Sequence, residues 1–248
     1  MNIKQYEETS VRGPEEYKAN FEGVQVHKNP PRLAPLVSDV YLMDNMEFMS
    51  QFPDNYYDLA VVDPPYGIGE ASAKIHTRHH SQKKYAIKDW DNEPPNEEYF
   101  RELIRVSKNQ IVWGANHFIE RINKNSSCWI VWDKDGCGDQ ADCEIAWTSF
   151  KTAVRKFKYT WNGFRQQDMK NKEVRFHPTQ KPVALYDWLL NNYAKPNDKI
   201  LDTHLGSGTS RIAANKAGLD FYACELDPDY FKEQNTRYEL FVRQLKMF

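Results

Sequence analysis

Much that would classify a chain at a glance is missing from these 248 residues. No apolar run approaches the roughly 18 residues needed to cross a bilayer, which excludes a membrane-spanning helix. The opening residues, Met1-Asn2-Ile3-Lys4-Gln5-Tyr6-Glu7-Glu8, hold no apolar leader core. The four cysteines, Cys128, Cys137, Cys143 and Cys224, contain no C-x-x-C pair. That spacing argues against a disulfide framework or a zinc ribbon and for reduced thiols in a cytoplasmic protein. The nearest approach to a metal site, Cys137 and Cys143 with a histidine, is weak, and no metal is expected. A formal net charge of −2 excludes a uniformly basic surface. Any contact with nucleic acid must therefore be concentrated locally. No internal repeat is visible.

What is present is a chain at 40% hydrophobic residues, long enough to bury a substantial core as one enzyme domain. The apolar run Leu59-Ala60-Val61-Val62 reads as a short buried strand and ends in Asp63-Pro64-Pro65-Tyr66. The prolines cannot extend the strand, and each pushes the residue before it toward extended backbone. An acid, carbonyls without competing amides and an aromatic ring thus project from a stiff turn. Such a shelf suits a planar ring with an exocyclic amine, which would stack on Tyr66 and donate to Asp63 and a proline carbonyl. Taken alone, the same four residues could be a strand-ending turn with a capping aspartate.

Further on, Lys199-Ile200-Leu201-Asp202 reads as a strand, followed by Thr203-His204-Leu205-Gly206-Ser207-Gly208-Thr209 and a helical pattern through Gly218. Strand, glycine loop and helix form the cofactor-binding unit of open α/β sheets. The next strand pattern, Phe221 to Cys224, ends in Glu225, about where an acid typically meets ribose hydroxyls. Thr209 stands where a phosphate-gripping loop has lysine, and the full G-x-G-x-x-G is absent. A nucleoside cofactor without pyrophosphate is favoured.

The ordered set, D-P-P-Y at 63–66, H-P-T-Q-K-P at 177–182 and D-T-H-L-G-S-G-T at 202–209, resembles the S-adenosylmethionine-dependent amino-methyltransferases of DNA. The likeness is to the N6-adenine/N4-cytosine family, in its permuted beta group, where the catalytic motif precedes the cofactor loop. It covers most of residues 38–240. The resemblance implies a Rossmann-like methyltransferase fold, a mainly parallel sheet with helices on both faces and circularly permuted motif order. It implies S-adenosylmethionine as cofactor, with Asp44 near the adenine, Glu225 on the ribose, and the loop of Asp202, Gly206, Ser207, Gly208 and Thr209 under the methionine part. Thr179 and Lys181 would lie near the methionine carboxylate. It implies site-specific methylation of the N6 amino group of a flipped-out adenine in double-stranded DNA, with Asp63, Pro64, Pro65 and Tyr66 as the catalytic turn. Cytosine N4-methylation and a DNA-binding protein with a degenerate methyltransferase fold are the alternatives. A homodimer and a cognate restriction endonuclease are the further partners that the likeness admits. One departure stands out: the family has Pro-Phe where this chain has Thr203-His204. The histidine is expected to pack beside the cofactor or to weaken its binding.

Positive charge is concentrated twice. Residues 74–88 carry eight Lys, Arg and His side chains and no acid, among them Lys83 and Lys84, and read as a loop that closes on substrate. Residues 151–175 carry eight basic residues, including Arg155, Lys158 and Arg165, against Asp168 and Glu173, with Phe157, Tyr159, Trp161 and Phe164 interleaved. This mixture suits phosphate contacts with base stacking or wedging, whereas a solvated hairpin with inward aromatics would look similar. Residues 1–36 read as a proline-punctuated arm and 37–248 as the methyltransferase domain, with a small target-recognition elaboration at about 135–176. Helices are expected at 97–107, 183–193 and 228–245, and strands at 110–113 and 129–132.

Overall fold

The strands that carry the two glycine- and proline-marked motifs lie side by side. In the computed structural model, which describes residues 35–69, 91–136, 141–162 and 165–245, β2 (Tyr57–Val62) pairs in parallel with β9 (Lys199–Asp202). From β9 the chain runs through α5 (Thr209–Ala217) to β10 (Asp220–Glu225), and β1 (Ser38–Leu42) adds to that edge. From β2 it runs the other way, through α2 (Glu97–Val106) to β3 (Ser107–Trp113). Strand order therefore reverses between β9 and β2, and in open α/β sheets the crevice at such a switch point receives the ligand. The permutation is visible here: β1, α1 (Asn45–Ser50) and β2 precede the glycine-loop unit in the chain yet stand beside it in the sheet.

Beyond β3 the sheet continues into β4 (Trp129–Asp133), β5 (Cys143–Thr148) and β6 (Arg155–Lys158). Its eight strands have the order β1-β10-β9-β2-β3-β5-β4-β6. Both antiparallel pairings belong to β5, which inserts between β3 and β4. The expectation of a mainly parallel sheet holds, but the elaboration expected at 135–176 is only partly separate. Residues 143–148 and 155–158 are strands of the main sheet. Outside it lies a short hairpin of β7 (Trp161–Asn162) and β8 (Arg165–Gln166).

Helices cover both faces. Leu59 and Val61 of β2 face α4 (Val183–Tyr193) and α5; Ala60 and Val62 face α1, α2 and α3 (Ile119–Ile122). All four are at most 1% exposed, which is why β2 reads as an unbroken apolar run rather than an alternating one. In α2 the buried positions Tyr99, Phe100, Leu103 and Val106 recur at helical spacing behind the Asn96 cap, whose side chain accepts from the Tyr99 amide at 3.0 Å. Each such large side chain stabilises by roughly 2 kcal/mol before chain entropy is set against it. The last helix, α6 (Pro228–Leu245), packs on α5 and β10. The proposed arm at 1–36 falls almost wholly outside the described residues, as do the 74–88 loop, Cys137 and Phe164. Among the described residues no helix is long and apolar enough to cross a membrane.

Candidate active site and family

A cavity of about 780 Å³ opens at the carboxyl ends of β1, β10, β9 and β2, a size that suits a nucleoside-sized ligand. Asp44, Thr179, Lys181, Gly206, Ser207, Thr209 and Glu225 all line it, and so do Asp63 and Pro65. Asp202 and Gly208 sit behind the wall and shape it. Gly208 has φ +71°, and a Cβ there would come within 3.0 Å of the Gln234 Cβ, so the loop turns into α5 only with glycine at this point. Asp202 accepts from the Ser210 hydroxyl at 2.5 Å and the His204 amide at 3.0 Å, and burial pushes its carboxyl up to about 7.

Two neighbours hold the loop from outside. Glu225 accepts from the Gly206 amide and from the Asp227 amide, each at 2.8 Å, and so ties the loop to the start of α6. Burial raises its pKa against these bonds. From α6, the Arg237 guanidinium donates to the Ser207 carbonyl at 2.9 Å and the Thr209 hydroxyl at 2.8 Å. Asp44, the acid expected at the adenine, caps α1: its Oδ1 accepts from the Met46 and Glu47 amides at 2.8 and 3.1 Å. His204 stands on the cavity wall. Its ring meets Tyr99 edge-on at 5.3 Å, with Asn45 Nδ2 3.1 Å from Nε2 and Thr203 Oγ1 3.0 Å from Nδ1. Burial lowers its pKa to about 4, so near neutrality it is an uncharged flat ring.

The catalytic turn is more crowded than the sequence suggests. Asp63 Oδ1 accepts from the Tyr66 hydroxyl at 2.8 Å, and Oδ2 accepts from the Lys181 ammonium at 2.6 Å. Lys181, only 4% exposed, also reaches Glu144 Oε2 at 3.0 Å. Glu144, on β5, pairs in turn with Lys134. Burial opposes its ionisation, but Lys181 and Lys134 hold its pKa at about 2. Lys181 lines the cavity, and its ammonium is engaged by two carboxylates. Buried charges of that kind require a paired cation.

Tyr66 has partners of its own. Its ring stacks on His117 at 5.1 Å and 16° and lies against Gly114, where a Cβ would come within 2.0 Å of the ring. It is not part of the cavity wall in this arrangement. Asp91, which the sequence did not single out, accepts from the Tyr66 and Gly67 amides at 2.7 and 2.9 Å and fixes the exit from the turn.

Residues 123–236 match the family model described as DNA methylase, N6_N4_Mtase. The Type II methyltransferase M1.MboII of Moraxella bovis is 22% identical, over 80% of this chain and 95% of that enzyme. Two solved structures share the fold. The M1.HpyAVI–SAM complex has a TM-score of 0.51 at 20% identity, covering 81% of this chain and 98% of its own. The cytosine-N4-specific PvuII DNA methyltransferase has a TM-score of 0.55 at 13% identity, covering 82% and 87%. The matched model and these relatives support a DNA amino-methyltransferase of the N6-adenine/N4-cytosine family.

In the second basic segment the charges do face outward: Arg155, Lys156 and Lys158 are exposed on the edge strand β6. Lys158 pairs with Asp135 at 2.7 Å, Lys156 with Asp133 at 3.5 Å and Arg165 with Asp135 at 3.9 Å. The aromatics, however, turn inward. Phe157 stacks on Tyr159 at 5.7 Å and packs on Trp188, and the Trp161 indole donates to the Gln180 carbonyl at 2.9 Å. Stacking or wedging by Phe157, Tyr159 and Trp161 is therefore corrected to core packing, because α4 offers them an apolar surface. Glu144, Asp91 and Arg237 were missed altogether; each acts across long sequence separations and carries no local motif.

Proposed function

We propose that the protein methylates the N6 amino group of adenine in double-stranded DNA, with S-adenosylmethionine as donor. The observation that carries this reading is the position of Asp63: it lies at the sheet's switch point and borders the same cavity as the glycine loop and Glu225. The residues present fit a nucleoside cofactor, since the cavity joins a tight glycine turn to acids at the ends of β1 and β10. Asp44, Glu225, Thr179 and the 202–209 loop would hold it, and when bound it supplies an electrophilic sulfonium methyl group. Asp63 and the Pro64 carbonyl accept hydrogen bonds from the two N–H groups of the target amine, which localises the nitrogen lone pair. Their contribution is positioning and electrostatics. The amine is not accessible inside a stacked duplex, so the base flips out to reach Asp63.

Adenine is favoured because the motif begins with aspartate; the cytosine-N4 reading is supported by the likeness in fold to the PvuII enzyme. Arg155, Lys158 and Arg165, with Lys83 and Lys84 outside the described residues, are proposed to meet DNA phosphates. A cognate restriction endonuclease is proposed on the Type II name of the relative. To test the reaction, purified protein is incubated with S-adenosylmethionine and DNA, and the nucleosides are analysed by mass spectrometry. N6-methyladenine is expected. N4-methylcytosine moves the reading to the alternative, and unmodified DNA across varied sequences overturns it.

A further inference from the structure

Both oxygens of Asp63 are occupied: Oδ1 by the Tyr66 hydroxyl and Oδ2 by the Lys181 ammonium. Each oxygen keeps a second lone pair, but an amine that donates along either of the directions already in use displaces the group that holds it. The ammonium is the group it resembles, a nitrogen with N–H directed at a carboxylate oxygen at 2.6 Å. Lys181 has little room to withdraw. It is 4% exposed, with the rings of Tyr66 and Trp113 each 5.5 Å from its nitrogen. A buried ammonium that leaves one carboxylate is strongly destabilised unless it keeps another. Glu144 Oε2, 3.0 Å away, is that second carboxylate, and Lys134 anchors it from the other oxygen.

We propose that Glu144 is a positioning residue for methyl transfer, the acceptor onto which Lys181 shifts when the target amine takes Asp63 Oδ2. No proton moves. Lys181 releases Asp63 and keeps the Glu144 carboxylate that it already touches, and the cluster of Asp63, Glu144, Lys134 and Lys181 keeps the same total charge while it does so. The lysine stays close enough to keep Asp63 ionised against burial and against the neighbouring Glu144, both of which raise its pKa. This inference rests on Asp63 being the acceptor of the target amine.

Three variants test it. Glu144→Gln keeps the shape and removes the charge. Cofactor and DNA affinity are expected to stay unchanged while kcat falls roughly tenfold, the scale of one charge-assisted hydrogen bond. The double variant Glu144→Gln/Lys181→Met has no ammonium to relocate, so at alkaline pH, where Asp63 is ionised without the lysine, its kcat is expected to rise above that of Glu144→Gln. A purely structural role predicts the opposite ranking, because the double variant loses two buried partners. Lys181→Met alone leaves two facing carboxylates; its acid limb in kcat against pH is expected to move upward, with activity recovered on the alkaline side. Wild-type kcat in Glu144→Gln, or a double variant no faster than the single at alkaline pH, overturns the proposal. Should Glu144→Gln fail to fold by thermal unfolding, the Lys181→Met profile decides: an unshifted limb, or inactivity at every pH, overturns it. Asp63→Ala separates the two levels. If it turns over normally, the role of Asp63 falls and this inference with it. If it is inactive while Glu144→Gln is normal, only the inference falls.

Discussion

The two sides of the site are built by different routes. On the β9–β10 side, each feature of the site sits within a few residues of the strand that delivers it: Asp202 at the end of β9, the glycine loop after it and Glu225 at the end of β10. Beyond β3, the site depends on side chains brought together across the fold. Glu144 comes from an antiparallel insertion, and Lys181 meets Asp63 across 118 positions of chain. The first arrangement is local and strand-encoded. The second exists only once the sheet is assembled.

That contrast can be broken most forcefully on the local side. Glu225→Ala removes the acceptor of the Gly206 and Asp227 amides and the proposed ribose partner together. Cofactor affinity by calorimetry on the folded variant is expected to fall by about 1–3 kcal/mol, the scale of lost charged hydrogen bonds. A variant that melts earlier but binds the cofactor as wild type does would reduce Glu225 to a fastening for α6.

A smaller effect is expected at the far edge. Replacing Arg155, Lys158 and Arg165 together by alanine should weaken DNA binding and flatten its salt dependence by about one log–log unit for each phosphate that is no longer neutralised. Cofactor affinity should not change, because none of the three borders the cavity. Lys158 and Arg165 already pair with Asp135, so a slope equal to wild type would mean that these charges serve the fold and that DNA is met elsewhere.

The same contrast explains what could be read from residues alone. The D-P-P-Y turn, the glycine loop, Glu225, the helices at 97–106, 183–193 and 228–245 and the parallel sheet were legible, because each is a strand, turn or helix pattern complete within a short window. Glu144 was not. The strand that carries it begins with an exposed Cys143 and a charged Glu144, and declares itself only through pairing with β3 and β4. Lys181 was singled out but its two carboxylate partners were not, since nothing local shows that a buried lysine will face them. The aromatics at 157–161 were ambiguous for a related reason: alternation marks them as half-buried but does not say whether the buried side meets α4 or a base.

The central claim is that Asp63 acts on the target amine and not on the cofactor, and Asp63→Ala tests it most directly. Methyl transfer to DNA and S-adenosylmethionine affinity are measured separately on the same folded protein. The account predicts that transfer is lost while cofactor affinity stays at the wild-type value. Normal transfer, or a loss of cofactor affinity large enough to account for the loss of transfer, would contradict it.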